Sequence, residues 1–260
     1  MKRNRISVAA SLGFAQLAVL IGTASAQEQP GRSLEEVVVT ASRSPRKQSE
    51  IGKVVRTITS EQLQRGQGRT LPDVLNNVAG IIIGGAANNP GDIKAVYLRG
   101  AGAGYTLILI DGIPVNDAST ISGEFDISAI PVDQIERVEI LKGGNSTLYG
   151  SDAVAGVINI ITKKGYGKPS ANGIGTAGSY GTFKEAVGVS GQFGNTTVGL
   201  NASNLDSKGF STASSRPGAS ADLEKDGFHQ KSVSLNVGQQ ITTNWSLRGN
   251  LQFNRNEADL

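Results

Sequence analysis

Trp245, Leu247, Leu251 and Phe253 share one face of an extended strand, and Ser246, Arg248, Asn250 and Gln252 share the other. The same two-residue period sets Val233, Leu235 and Val237 against Ser232, Ser234 and Asn236. It also sets Val198, Leu200 and Ala202 against Thr197, Gly199 and Asn201. Phe183, Val187, Val189 and Phe193 make a fourth such face, interrupted by Glu185, and Ile174 to Tyr180 is a weaker fifth strand. Side chains of a strand point alternately to opposite faces, so each segment has one apolar and one polar side. A membrane barrel with a wet lumen and a soluble β-sandwich both meet that requirement, and the alternation alone leaves both open. The connections favour the barrel. Gly181-Thr182, Gly194-Asn195 and Ile241 to Asn244 are tight, whereas Leu205 to Gly227 is long and polar. Short turns on one side and a long loop on the other are the outer-membrane arrangement.

The N-terminus points to export. Lys2, Arg3 and Arg5 precede a mostly apolar run from Ile6 to Gly22, and Ala24-Ser25-Ala26 is a small-x-small cleavage site. This is a secretory signal peptide over residues 1–26, cut before Gln27. The run is short for a membrane-spanning helix, and no later segment approaches that length, so any membrane crossing falls to tilted strands. The leader holds three of the 25 Lys and Arg residues and none of the 22 Asp and Glu residues. The mature chain is therefore balanced, and the basic excess gives no case for nucleic acid as a partner. With no cysteine in the chain, disulfides and thiolate metal sites are excluded. Glycine is abundant, with 34 residues, and aromatics make up only 5%. That balance suits a sheet with one polar face better than a compact soluble core.

Between leader and strands lie two further zones. Residues 27–50 form a linker in which Pro30, Gly31, Ser33 and Pro45 surround one short β-branched run. Residues 51–164 are mixed α/β. Ser60 before Glu61-Gln62-Leu63 is a candidate helix N-cap, and Thr70 before Leu71-Pro72-Asp73 is another, with proline in the first turn. The second helix is expected to end at Gly80. Strands are expected at Ile81 to Ile83, Lys94 to Leu98, Thr106 to Ile110, Val138 to Leu141 and Val157 to Thr162, with a tight turn at Asp111-Gly112.

Four stretches carry a family resemblance. Glu35-Glu36-Val37-Val38-Val39-Thr40-Ala41 resembles the TonB box of outer-membrane receptors, a short extended segment that a periplasmic partner can capture as an added strand. Leu71 to Gly84 (LPDVLNNVAGIIIG), Val96 to Asp117 (VYLRGAGAGYTLILIDGIPVND) and Ile135 to Thr162 (IERVEILKGGNSTLYGSDAVAGVINIIT) resemble the plug of the same family, in the family's order. The third is the most specific, through Tyr149-Gly150-Ser151-Asp152 and Gly156-Val157-Ile158-Asn159. The resemblance implies an α+β plug domain over residues 51–164. Antiparallel transmembrane β-barrel strands would follow over residues 165–260, an incomplete barrel in this chain.

The resemblance also implies a division of labour. The partner, a TonB-type energy-transducing protein, would hold Glu36, Val37, Val38, Val39, Thr40 and Ala41. A small-molecule nutrient complex would sit on the plug loops, with Asn88, Asn89, Asp92, Thr120, Ile121 and Ser122 as candidate contacts. The stretch from Asn116 to Asp126 and the two motifs after it look closest to cobalamin receptors, with ferric-siderophore and haem receptors as alternatives. Asp222, Glu224 and Asp226 resemble a calcium-binding acidic loop of the cobalamin branch, and carboxylates alternating on a loop suit hard cations. A solvated acidic loop tip is the competing reading, because the matching acidic position nearer the loop start is Ser211 here. No cofactor is required. Arg99, Arg137 and Glu139 are candidates for polar contacts between plug and wall.

Other chemistries find little footing. Gly100-Ala101-Gly102-Ala103-Gly104 leads into a strand-like run, not the helix that a dinucleotide loop needs. His229 is the only histidine, which argues against a histidine-based triad or a multi-histidine metal site. The chain is accordingly expected not to be an enzyme. A ligand sensor relaying to a regulator would carry a folded domain before the box, where only the eight residues 27–34 come between the expected cleavage point and Glu35. A structural or adhesive β protein would carry repeats, and none is found. Plugged barrels have about 22 strands and about five are recognisable here. The chain is thus expected to be a fragment or a truncated product that does not insert alone as a pore.

Overall fold

The computed structural model describes residues 37–38, 46–47, 55–65, 70–85, 92–116, 120, 123–211 and 225–259. The expected leader and most of the linker lie outside these residues. Of the TonB-like box, Val37–Val38 form strand β1, paired antiparallel with β2, Arg46–Lys47, in the register Val37↔Lys47 and Val38↔Arg46.

Strand β3, Val55–Thr59, runs into helix α1, Ser60–Arg65. The expected cap at Ser60 is displaced by one residue. Thr59 holds the cap position, its N–H donating to Gln62 Oε1 at 3.0 Å while its hydroxyl accepts from Gln62 N–H at 3.4 Å. Thr-x-x-Gln closes that reciprocal box, and Ser60 offers no residue of that kind three positions on. Helix α2, Leu71–Asn76, starts at Thr70 as expected, with the Asp73 carboxylate accepting from both the N–H and the hydroxyl of Thr70. It stops four residues before Gly80. Asn77 turns its amide back onto Asp73 O, and Asn76 Oδ1 accepts from Ile83 N–H, so two asparagines end the helix and launch strand β4, Ile81–Ile83. Strand β4 pairs with β5, Val96–Leu98.

The central sheet has the order β3-β8-β9-β6-β7. Its members are β6 (Thr106–Ile110), β7 (Ile113–Pro114), β8 (Ile135–Lys142) and β9 (Gly156–Thr162), with a short helix α3, Ser146–Tyr149, between the last two. Strands β6 and β9 are parallel and the other pairs antiparallel. Asp111 and Gly112 both have positive φ, 51° and 85°, and close the β6–β7 hairpin as an Asp-Gly turn does. Every residue of β9 is buried, which explains its unbroken Val-Ile-Asn-Ile-Ile run: the sheet is covered on both faces. One face packs Ile58, Ile108, Ile140, Ile158 and Ile160 against Leu63, Leu71 and Leu75 of the helices. The other packs Val55, Leu107, Leu109, Leu141 and Val157 with Ala153 and Tyr149.

The second sheet is a five-stranded antiparallel meander, β10 (Ser170–Ala177), β11 (Phe183–Phe193), β12 (Thr196–Ser207), β13 (Phe228–Gln240) and β14 (Ser246–Ala258). Strands of 11 to 13 residues meet or exceed the roughly 9–11 residues that a tilted membrane-spanning strand needs. The expected strand from Ile174 to Tyr180 begins earlier and ends at Ala177, because Tyr180 turns left-handed with φ 59°. The meander also corrects the loop pattern: Ala177 and Phe183 lie at the same end as Ser207 and Phe228. The long-loop end therefore carries one short connection, and only Gly194-Asn195 and Ile241 to Asn244 lie at the turn end.

Burial separates the two β readings that the alternation left open. On β13, Ser232, Ser234 and Asn236 are 1%, 2% and 8% exposed, yet their apolar neighbours Val233 and Val237 are 44% and 39% exposed. On β14, Leu247, Leu251 and Phe253 are 67%, 71% and 64% exposed. A soluble sandwich buries the apolar face; β13 buries its polar face instead, and β14 turns leucine and phenylalanine outward. Phe193 and Trp245 stand on the outside near the turn end and Phe183 near the loop end, where an outer-membrane barrel carries its aromatic girdles. No helix among the described residues is long and apolar enough to cross a membrane, which says nothing of strands.

Candidate functional site

The polar face of the wall is buried because the α/β layer lies against it. The seam is held by hydrogen bonds stepped from the loop end toward the turn end. Gln230 Nε2 donates to Ser128 O at 3.1 Å. Gln134 Nε2 donates to Ser232 Oγ at 2.5 Å, and Gln252 Nε2 to Gln134 Oε1 at 3.4 Å. Lower down, Asn236 Nδ2 donates to Lys163 O at 3.1 Å. Among the described residues one ion pair crosses the seam, Lys184 on β11 to Asp133 just before β8, at 2.5 Å. A cavity of about 180 Å³ opens beside it between Pro131 and Val132 on one side and Thr182, Lys184 and Leu205 on the other.

Each contact across this seam is worth only about 1 kcal/mol net, because both partners would hydrogen-bond water when apart. The α/β layer is therefore keyed to the wall by many weak, directional contacts, not by an apolar interface. Such a seam can part without exposing hydrophobic surface. Lys163, at the exit from β9, has its pKa lowered chiefly by burial, with Lys184 acting in the same direction and Asp133 and Glu136 opposing.

The residues expected to carry the seam prove different from those that do. Arg137 pairs with Glu136 at 2.8 Å and with Glu139 at 2.9 Å, and Glu139 is fully buried within the central sheet. Arg99 has φ 56° and lies over Gly80 and Gly143, away from the described wall. Gln134, Asp133 and Ser128 were missed because partners about 50 to 100 residues distant leave no local signal.

The expected ligand loops are partly described. Asn88, Asn89, Ile121 and Ser122 lie outside the described residues. Asp92 and Thr120 are half-buried, and Thr120 O accepts from Gly123 N–H at 3.3 Å. The two loops are joined through Asp126, whose Oδ1 accepts from Lys94 N–H at 3.2 Å and from Ser128 N–H at 3.0 Å. Lys94, expected only as a strand residue, is buried and donates its amine to Gly85 O. Its pKa is lowered mainly by burial, against the pull of Asp92, Asp126 and Asp73. A cation thus sits beneath both loops, which sequence alone gave no reason to place there.

For the acidic outer loop, Asp222 and Glu224 lie outside the described residues and Asp226 is half-buried. Among the described residues no group of three His, Asp or Glu is placed to hold a metal ion. Of the box residues, Glu36, Val39, Thr40 and Ala41 also lie outside the described set.

Residues 47–157 match the family model described as the TonB-dependent receptor plug domain. Among solved structures, a mutant of the ferric enterobactin receptor PfeA from Pseudomonas aeruginosa superposes with a TM-score of 0.64 at 23% identity. That match covers 85% of this chain and 35% of the other. The siderophore receptor PirA from Acinetobacter baumannii gives 0.63 at 24% identity, over 78% and 32%. The ferric-catecholate import receptor Fiu from E. coli K12 gives 0.59 at 23%, over 78% and 27%. The chain spans about a third of the length of these receptors.

Proposed function

We propose that this chain, which carries the plug domain of TonB-dependent receptors and the first strands of their barrel, takes part in active uptake of a ferric siderophore across an outer membrane. The observation that carries the reading is the inverted wall: lipid-compatible outside, polar inside, with the matched plug seated on the polar side. The ligand would meet the loops gathered by Asp126 above Lys94. A TonB-type partner would take Glu36 to Ala41 at the other end of the plug, and its pull would part the polar seam. Energy enters through that partner, so binding and transport are separate steps on opposite ends of one domain.

The siderophore reading stands ahead of the cobalamin one because the receptors of similar fold are named for siderophores, enterobactin and catecholates. Titrating the purified protein in detergent with a ferric catecholate, a ferric hydroxamate and cyanocobalamin tests the choice. Saturable binding of a ferric siderophore, with cyanocobalamin at least tenfold weaker, is the expected result. Tighter binding of cyanocobalamin would restore the other reading.

A further inference from the structure

At the loop end one carboxylate lies where the two expected ligand loops meet the wall. The base of the first loop is closed by Lys94, whose amine donates to Gly85 O, and by Gly84 N–H, which donates to Ala95 O at 2.9 Å. Lys94 N–H then reaches across to Asp126 Oδ1, at the end of the second loop, at 3.2 Å. The same oxygen accepts from Ser128 N–H at 3.0 Å and from the Ser128 hydroxyl at 2.7 Å, capping the turn Ile127–Ala129. Ser128 carries the connection onward. Its carbonyl accepts from buried Gln230 Nε2 on β13 at 3.1 Å, and that amide also donates to Asn256 Oδ1 on β14 at 3.1 Å.

The links of this chain are unequal. Hydrogen bonds to an ionised carboxylate are roughly twice as strong as those between neutral groups. Asp126 therefore holds the loops to the turn more firmly than Gln230 holds the turn to the wall. When the seam is loaded, the Gln230–Ser128 contact yields first, and the turn that carries Asp126 loses its anchor.

We propose that Asp126 is a positioning residue. It fixes the two ligand loops against each other and, through Ser128 and Gln230, at one place on the wall, so that parting the seam also loosens the ligand site. The inference rests on the reading that ligand meets these loops. It gives a wall residue that touches neither loop control over both.

The test is hydrogen–deuterium exchange of the whole chain in detergent micelles, read at the amides of Lys94 and Ser128. Asp126→Ala should speed exchange about tenfold at both, as loss of a hydrogen bond to a charged group implies. Gln230→Ala should speed it about fivefold at the same two amides, the effect of one neutral hydrogen bond. Gln230→Met, of similar length but without a donor, should match the alanine variant. Asp126→Asn keeps the accepting oxygen and should restore slow exchange. In an Asp126→Ala background Gln230→Ala should add nothing at Lys94, because the link between them is already cut. Asn236→Ala removes a different seam contact and should leave both amides as in the parent. Unchanged exchange in both Gln230 variants would overturn the proposal, and so would an equal rise in Asn236→Ala, which would mean general loosening of the seam. The same variants are then titrated with a ferric catecholate. Asp126→Ala and Gln230→Ala should bind it about tenfold and about fivefold more weakly, since only molecules with both loops in place bind. Faster exchange with undiminished binding would overturn the positioning role. A parent that binds no ferric catecholate, with exchange in the expected order, would overturn the uptake reading and leave the link from loops to wall standing.

Discussion

Val38→Pro is expected to abolish energised uptake and to weaken capture of the protein by the periplasmic domain of a TonB-type partner by about a hundredfold. Capture by strand addition depends on a run of free N–H and C=O groups in extended conformation. Val37–Val38 already adopts that conformation and already uses it, against Arg46–Lys47. Proline removes one N–H, leaves an acceptor of the partner unmatched, and restricts the residue before it. A lost hydrogen bond together with an orphaned acceptor costs about 3 kcal/mol, which is the hundredfold. Val38→Thr keeps the N–H and the β-branch and should behave as the parent does. Ligand binding at the opposite end of the plug should survive Val38→Pro, and that split between binding and uptake identifies the segment as a coupling element. Undiminished capture of the proline variant by the partner's periplasmic domain would remove Glu36 to Ala41 from the mechanism.

The second large effect is structural. Gly156→Val should destabilise the plug by about 4 kcal/mol, read as a shift of the urea unfolding midpoint. Gly156 opens β9 between Lys142 on β8 and Thr106 on β6. A Cβ there would lie 2.4 Å from Leu141 O and 2.4 Å from Leu98 Cδ2, with φ at 156°. One of those neighbours is backbone in the central sheet, so relief requires the sheet itself to move. Overpacking a core costs roughly 1–3 kcal/mol and an unfavourable backbone a further 1–3. That sum is a large part of the roughly 5–15 kcal/mol that holds a domain folded. Gly175→Val, where a Cβ meets nothing within 4 Å, is the matched control and should be close to neutral. A Gly156→Val protein with an unchanged midpoint would mean that β9 is not packed as described.

How much of this was legible beforehand depended on the range of the interaction. The faces of β13 and β14 were readable because alternation is written residue by residue, and the Asp111-Gly112 turn because its chemistry is local. The end of α2 was misplaced because a glycine stop was expected at Gly80. The side chains of Asn76 and Asn77 supplied the missing partners four residues sooner. The cap at Thr59 was overlooked for a similar reason, since Ser60 is as good a capping residue until its third neighbour is considered. Alternation alone could not say which face of the wall would be buried. That depends on what lies against it, and Ser232 is buried where Gln134 reaches it. The seam and the cation at Lys94 were invisible, being products of register between segments far apart in the chain.

The account stands on which face of the wall meets lipid, and the absence of cysteine makes that directly measurable. Four exposed positions on β14 serve: Leu247→Cys and Leu251→Cys on the outer face, Arg248→Cys and Asn250→Cys on the inner. Each single variant is labelled with bimane and placed in micelles doped with brominated lipid as a contact quencher. The account predicts strong quenching at 247 and 251 and little at 248 and 250. Equal quenching at all four, or quenching confined to 248 and 250, would contradict it.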